Sequence, residues 1–105
     1  MKEQDIQRKI IKYLESVGAY VVKVVASNKS GTPDILACYR GIFLAIEVKR
    51  PETKTNVSEL QEYNIKKIKE AGGVAIVSWD LDAVKATIEN INSNLMVIGG
   101  LKWHN

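Results

Sequence analysis

The chain has 105 residues, 46% of them hydrophobic and 26% charged, with a formal net charge of +3. That describes one small domain with a thin core, whose mild positive balance favours an anionic partner without identifying it. One Cys and one His supply neither a disulfide framework nor a structural zinc site, and no apolar run reaches membrane-spanning length.

In chain order, Ile6, Ile10, Tyr13, Leu14 and Val17 recur at helical spacing, which predicts an amphipathic helix over 3–17 that Gly18 ends. Residues 20–25 read as a strand and 26–33 as a polar loop. Apolar runs at 34–39 and 42–49 flank Arg40-Gly41 and predict a β-hairpin. Cys38 lies in the first run, where a buried structural thiol is expected. Pro51 stops the second strand because proline cannot continue a central ladder, and 52–56 form a polar, charged loop. A second helix is expected over 58–71, with Leu60, Ile65 and Ile68 as its apolar stripe and Gly72-Gly73 as its stop. The almost wholly apolar run 74–78 predicts a strand buried on both faces. Strand, helix and strand then make a right-handed parallel crossover. A third helix is expected over 81–92, N-capped by Asp80. Leu95-Met96-Val97-Ile98, in the tail 95–105, fits an edge strand or a contact with a second copy. The whole chain, 1–105, reads as a single domain, with a motif core over 3–80 and a helix and tail over 81–105. With no signal peptide visible, a cytoplasmic location is expected.

The chemistry concentrates in two short stretches, Gly31-Thr32-Pro33-Asp34 and Ile46-Glu47-Val48-Lys49. Alternation along a strand puts Glu47 and Lys49 on one face, about 6.5–7 Å apart. The hairpin brings Asp34, at the start of one strand, beside Glu47, near the end of the other. Two carboxylates and an ammonium at one end of a sheet suit a divalent cation held against a phosphodiester. A hard cation such as Mg²⁺, for which Mn²⁺ may substitute, takes oxygen ligands of this kind. A Glu within so apolar a strand is costly unless it is paired or bound to metal. Lys49 is placed to orient an attacking water and to stabilise developing negative charge. The plainer readings are a Pro-Asp turn for Asp34 and a surface ion pair for Glu47 and Lys49.

Pro33-Asp34 with Glu47-Val48-Lys49 matches the PD-(D/E)XK nuclease signature. An N-terminal helix with an early Glu3, the loop Asn28 to Gly31, Ser58 and Gln61 narrow the resemblance. Together they resemble the VRR-NUC branch, near small phage-type nucleases and similar to Holliday-junction resolvases. The likeness covers residues 3–80 and implies an α/β restriction-endonuclease-like fold, a mixed central sheet flanked by helices. It implies a metal-dependent DNA endonuclease that leaves 5′-phosphate and 3′-hydroxyl ends, in a bacterial or phage-infected cell. It also implies that the Val48 carbonyl is a third oxygen on the metal, that Glu3 reaches it through water, and that Gln61 sits at the rim of the site helping hold Lys49 or the water.

Glu3 equally suits a helix-start carboxylate favoured by the macrodipole. Ser58 and Gln61 equally fit a capping box. Tyr63 reads as packing rather than as a base contact. Lys23, Lys29, Arg50, Lys54 and the lysines at 66, 67 and 69 are candidates for a basic groove, with Asn28 beside them. Lys29 and Arg50, flanking the motif loops, are favoured for phosphate contacts. No separate sequence-reading module is visible, so recognition of DNA shape or of a branch is expected, with a homodimer suited to a two-fold junction. A silent nucleic-acid-binding module, a flap or general nuclease needing a partner, and an RNA substrate stay open from residues alone.

Overall fold

Helix α1 spans Glu3–Ser16 and buries Ile6, Ile10 and Leu14, one stripe at helical spacing. It ends in a Schellman arrangement. Ala19 N–H donates to the Leu14 carbonyl and Gly18 N–H to that of Glu15, with Gly18 at φ +93°. The computed structural model describes residues 2–53 and 57–97.

Strands β1 (Tyr20–Lys23), β2 (Ile35–Tyr39), β3 (Ile42–Val48) and β4 (Val74–Ser78) lie side by side in that order. The first three are antiparallel neighbours, while β3 and β4 run parallel. Arg40 and Gly41, both at positive φ, close the β2–β3 hairpin as a two-residue type I′ turn requires. Ile35 sits opposite Ile46, so the next pair outward sets Asp34 beside Glu47. Helix α2 (Glu59–Glu70) makes the parallel crossover, and α3 (Leu81–Val97) follows β4. Asp80 caps α3, its Oδ1 accepting from Ala83 N–H at 3.1 Å.

One face of the sheet carries the core. Ile35, Ala37, Tyr39, Leu44, Ile46 and Val48 pack there against Ile6, Ile10 and Leu14 of α1 and Val84, Ile88 and Ile91 of α3. Helix α2 crosses the other face over β3 and β4 and buries none of its own side chains fully. Glu47 belongs to this second face, because it alternates with Ile46 and Val48. The mixed sheet with helices on both sides agrees with the sequence expectation.

Several local expectations need correction. Cys38 is exposed, because it points to the second face where α2 does not reach β1 and β2. Tyr63 is 57% exposed rather than packed. Strand β4 lies at the sheet edge, so Val74, Ile76 and Val77 are only partly buried. Residues 95–97 continue α3 instead of forming an edge strand, and Leu95 packs against the core. Ile98 and the rest of the tail, like Lys54, lie outside the described residues. Among the described residues no helix is long and apolar enough to cross a membrane.

Candidate active site

Asp34 stands between the polar loop and β2. Its carbonyl accepts from Val24 N–H at 2.8 Å, extending the β1–β2 ladder. Its Oδ2 accepts from Val48 N–H, also at 2.8 Å. The carboxylate is therefore fixed across the hairpin by the backbone of the strand that carries Glu47.

Glu47 is 2% exposed. Its Oε2 accepts from Gln61 Nε2 at 2.7 Å and lies 3.5 Å from Lys49 Nζ. Its Oε1 is buried with no hydrogen-bond partner among the described residues. A buried acceptor without a donor is costly, and more so on a carboxylate. Burial pushes the Glu47 carboxyl up to about 7, helped by the charge of Asp34, while Lys49 opposes the shift. Asp34 is also raised, chiefly by burial, with the Val48 hydrogen bond pulling the other way.

Gln61 is set by two sets of bonds. Its backbone N–H donates to Ser58 Oγ at 3.1 Å, and its Oε1 accepts from Ser58 N–H at 3.0 Å. The capping box thus exists, and its amide nitrogen is left pointing at Glu47. The capping-box reading of Gln61 holds, and its amide engages Glu47, where the sequence reading points to Lys49 or the water. Lys49 is anchored by its N–H to the Ser78 carbonyl at 2.9 Å, and its side chain is 13% exposed.

The remaining candidates divide. Glu3, half-buried at the start of α1, is near enough for its charge to raise both Asp34 and Glu47. Among the described residues no three His, Cys, Asp or Glu side chains come together as a metal cage. Glu3 is thus not brought into a three-carboxylate cluster. Lys23 is exposed at the end of β1, close enough to pull Asp34 downward electrostatically. Arg50 is exposed and borders a shallow cleft with Lys2 and Glu3. Asn28 and Lys29 are exposed on the loop leading to Asp34.

Two contributors carried no sequence signal. Asn64 Nδ2 donates to the Ser30 carbonyl at 2.9 Å and to that of Leu60 at 2.8 Å, tying the motif loop to α2. A helical Asn announces nothing by itself. The Val48 N–H positions Asp34, whereas the sequence reading drew attention to the Val48 carbonyl.

The donor set fits a hard cation: two carboxylates side by side, one oxygen unpartnered and both acids raised by crowding and burial. Mg²⁺ is commonly held by one or two carboxylates, with water and substrate phosphate completing its shell.

The family model described as archaeal Holliday junction resolvase (Hjc) matches residues 1–96. The chain belongs to the Hjc family. Among solved structures, this Hjc-family chain is similar to one titled "VRR_NUC domain". They share 26% identity and a TM-score of 0.70, with 83% of this chain and 94% of that chain covered. A second, titled "VRR_NUC domain protein", is 20% identical with a TM-score of 0.67, covering 85% of this chain and 86% of that one. It supports the fold. No curated protein matches the chain. The Hjc family lies within the PD-(D/E)XK nucleases, so the resemblance drawn from Pro33-Asp34 and Glu47-Val48-Lys49 is borne out at family level.

Proposed function

We propose that this chain is a divalent-metal-dependent endonuclease that hydrolyses phosphodiester bonds in branched DNA, Holliday junctions included. The observation that carries the reading is the buried Glu47 carboxylate, with one oxygen unpartnered, set beside Asp34 and 3.5 Å from the Lys49 ammonium. Asp34 and Glu47 would hold Mg²⁺, or Mn²⁺, with the Val48 carbonyl alongside and Glu3 acting through water. A cation bound there supplies a water of lowered pKa and polarises the phosphoryl oxygen.

The chain's own groups do the positioning. Lys49 Nζ donates to the attacking water and to a non-bridging phosphate oxygen, where negative charge grows in the transition state. Water oxygen bonds to phosphorus as its proton passes to solvent, the bond to the 3′ oxygen breaks, and that oxygen leaves with a proton from solvent. Gln61 Nε2 holds Glu47 Oε2, which leaves Oε1 as the oxygen that would be offered to a cation. Lys23, Asn28, Lys29, Arg50 and Lys54 contact backbone phosphates, which set register without reading sequence. Two copies acting as a symmetric dimer would place one cut in each of two strands of a junction.

The test is a panel of linear duplex, single strand, 5′ flap, 3′ flap, splayed arm and four-way junction, run with Mg²⁺, Mn²⁺ or EDTA. Metal-dependent cleavage favouring the junction is expected. Tight binding without cleavage of any member would replace the proposal with a silent binding module. Preference for a flap or for RNA would replace the substrate class.

A further inference from the structure

The loop over 26–33 keeps its own shape on a fixed base. Val24 N–H donates to the Asp34 carbonyl at 2.8 Å, which closes its two ends, and Pro33 is fully buried. Inside the loop, Thr32 Oγ1 donates to the Lys29 carbonyl at 2.6 Å and lies 2.9 Å from Ser27 Oγ. Lys29 N–H donates to the same Ser27 Oγ at 3.0 Å. These bonds are internal, so they set how the loop is folded and not where its tip stands over the sheet. Ser27, Asn28, Lys29 and Ser30 are all exposed.

Helix α2 sets the place of the tip. A Cβ at Gly31 would come within 2.8 Å of the Leu60 backbone, so the loop lies directly against the first turn of the helix. Asn64, half-buried on the next turn, supplies a polar tie. Its Nδ2 donates to the Ser30 carbonyl at 2.9 Å and to the Leu60 carbonyl at 2.8 Å, which engages both amide hydrogens. The bond to its own helix stiffens the donor that the loop receives. Gln61 stands one turn earlier on α2, and its amide holds Glu47. Residues at that spacing are neighbours on a helix surface. Two amides on one rigid helix thus tie down the loop and the reactive carboxylate. Lys29 borders a hollow of about 380 Å³ that Asn64 and Lys67 also line.

We propose that Asn64 is a positioning residue for substrate binding: it seats the loop on α2 so that Lys29 meets a DNA backbone phosphate at a fixed distance from the reactive pair. The inference rests on the nuclease reading and deepens it, naming the residue that orders one of its phosphate contacts. Asp34 keeps its own bonds to Val24 and Val48 without Asn64, and Glu47 keeps Gln61. Loss of Asn64 therefore leaves the reactive pair in place and frees the loop. A freed loop must be ordered each time DNA binds, which costs affinity and not the chemical step. Gln61 has the opposite signature, because its amide touches the carboxylate itself.

The experiment has two arms on the full chain. One is binding of a fluorescent four-way junction in EDTA over a salt series. The other is the single-turnover cleavage rate in Mg²⁺ at saturating protein. Both are run on the wild type, Asn64→Ala, Lys29→Ala and the double variant. Alanine is the best helix former, so Asn64→Ala keeps α2, and circular dichroism checks it. Asn64→Leu, similar in bulk and without a hydrogen to donate, is a second variant expected to match it. Asn64→Ala should weaken binding about ten-fold and lower the salt slope by about 1, as for loss of one phosphate contact. Its cleavage rate at saturation should stay within about two-fold of the wild type, since a binding contact is what is lost. The double variant should bind no more weakly than Lys29→Ala, because Asn64 acts through Lys29. Wild-type affinity in Asn64→Ala would overturn the proposal. So would losses that add in the double variant, or a large fall in the saturated rate with binding intact. A wild type that binds the junction without cleaving it would sink the nuclease reading, while the binding arm still decides the role of Asn64. A wild type that does not bind would remove both.

Discussion

Gln61 donates to Glu47 at 2.7 Å while both its backbone and its side-chain oxygen are engaged by Ser58. The cap of α2 is thus also a support of the reactive carboxylate. Ser58→Ala should cost about 1 kcal/mol of stability, the usual value of an N-cap, and leave cleavage within a few-fold. Gln61→Ala should cost more, about 1–2 kcal/mol, because a buried carboxylate also loses its donor. Its cleavage rate should fall about ten-fold or more, since Glu47 loses a fixed orientation. Urea denaturation and initial rates on one substrate separate the two effects.

The Glu47 carboxyl, ordinarily near 4.5, is raised to about 7 in the cation-free protein. The folded state then holds a proton that the unfolded chain has already released. Its stabilisation is complete below about pH 4.5 and is lost as pH rises to about 7, above which the curve flattens. Mg²⁺ binds the ionised pair and reverses the loss. The melting temperature should therefore rise more on adding Mg²⁺ at pH 8 than at pH 5. Glu47→Gln should remove most of that difference.

Asp34→Asn keeps an acceptor for Val48 N–H and deletes the negative charge that helps raise Glu47. Without metal, the variant should be more stable than the wild type at pH 8. It should nevertheless lose cleavage by about 10²-fold or more, in the pattern by which active sites trade stability for activity. Chemical denaturation in EDTA, paired with a cleavage assay in Mg²⁺, checks both halves.

Gly31 is held at φ +83°, and a Cβ there would come within 2.8 Å of the Leu60 backbone. Gly31→Ala should destabilise the fold by about 1–3 kcal/mol through strain and overpacking. It should also loosen the seat of the motif loop on α2, where Asn64 meets Ser30. Faster amide exchange across 26–33 is the readout.

The sequence made the hairpin and the second helix legible because their periodicities are strong and Arg40-Gly41, Pro51, Ser58 and Gly72 punctuate them. Pairing Asp34 with Glu47 followed from that register. The exposure of Cys38 was not legible, because whether a helix covers a given sheet face is decided by how far α2 extends across it. Tyr63 shows the same limit: whether its ring is covered depends on what α2 faces in space, and it stays 57% exposed. Continuation of α3 through Val97 escaped because a run of Leu, Met and Val suits either a helix or a strand. The unpartnered Glu47 oxygen was beyond reach, since it depends on where Gln61 and Lys49 end in space.

The most direct test of the central claim is cleavage of an immobile four-way junction by the wild-type chain and by Glu47→Gln, each with Mg²⁺ and with EDTA. The expected result is cleavage by the wild type in Mg²⁺ alone. Cleavage that persists in EDTA, or at the wild-type rate in Glu47→Gln, would contradict the assignment of the Asp34–Glu47 pair as the metal-dependent centre.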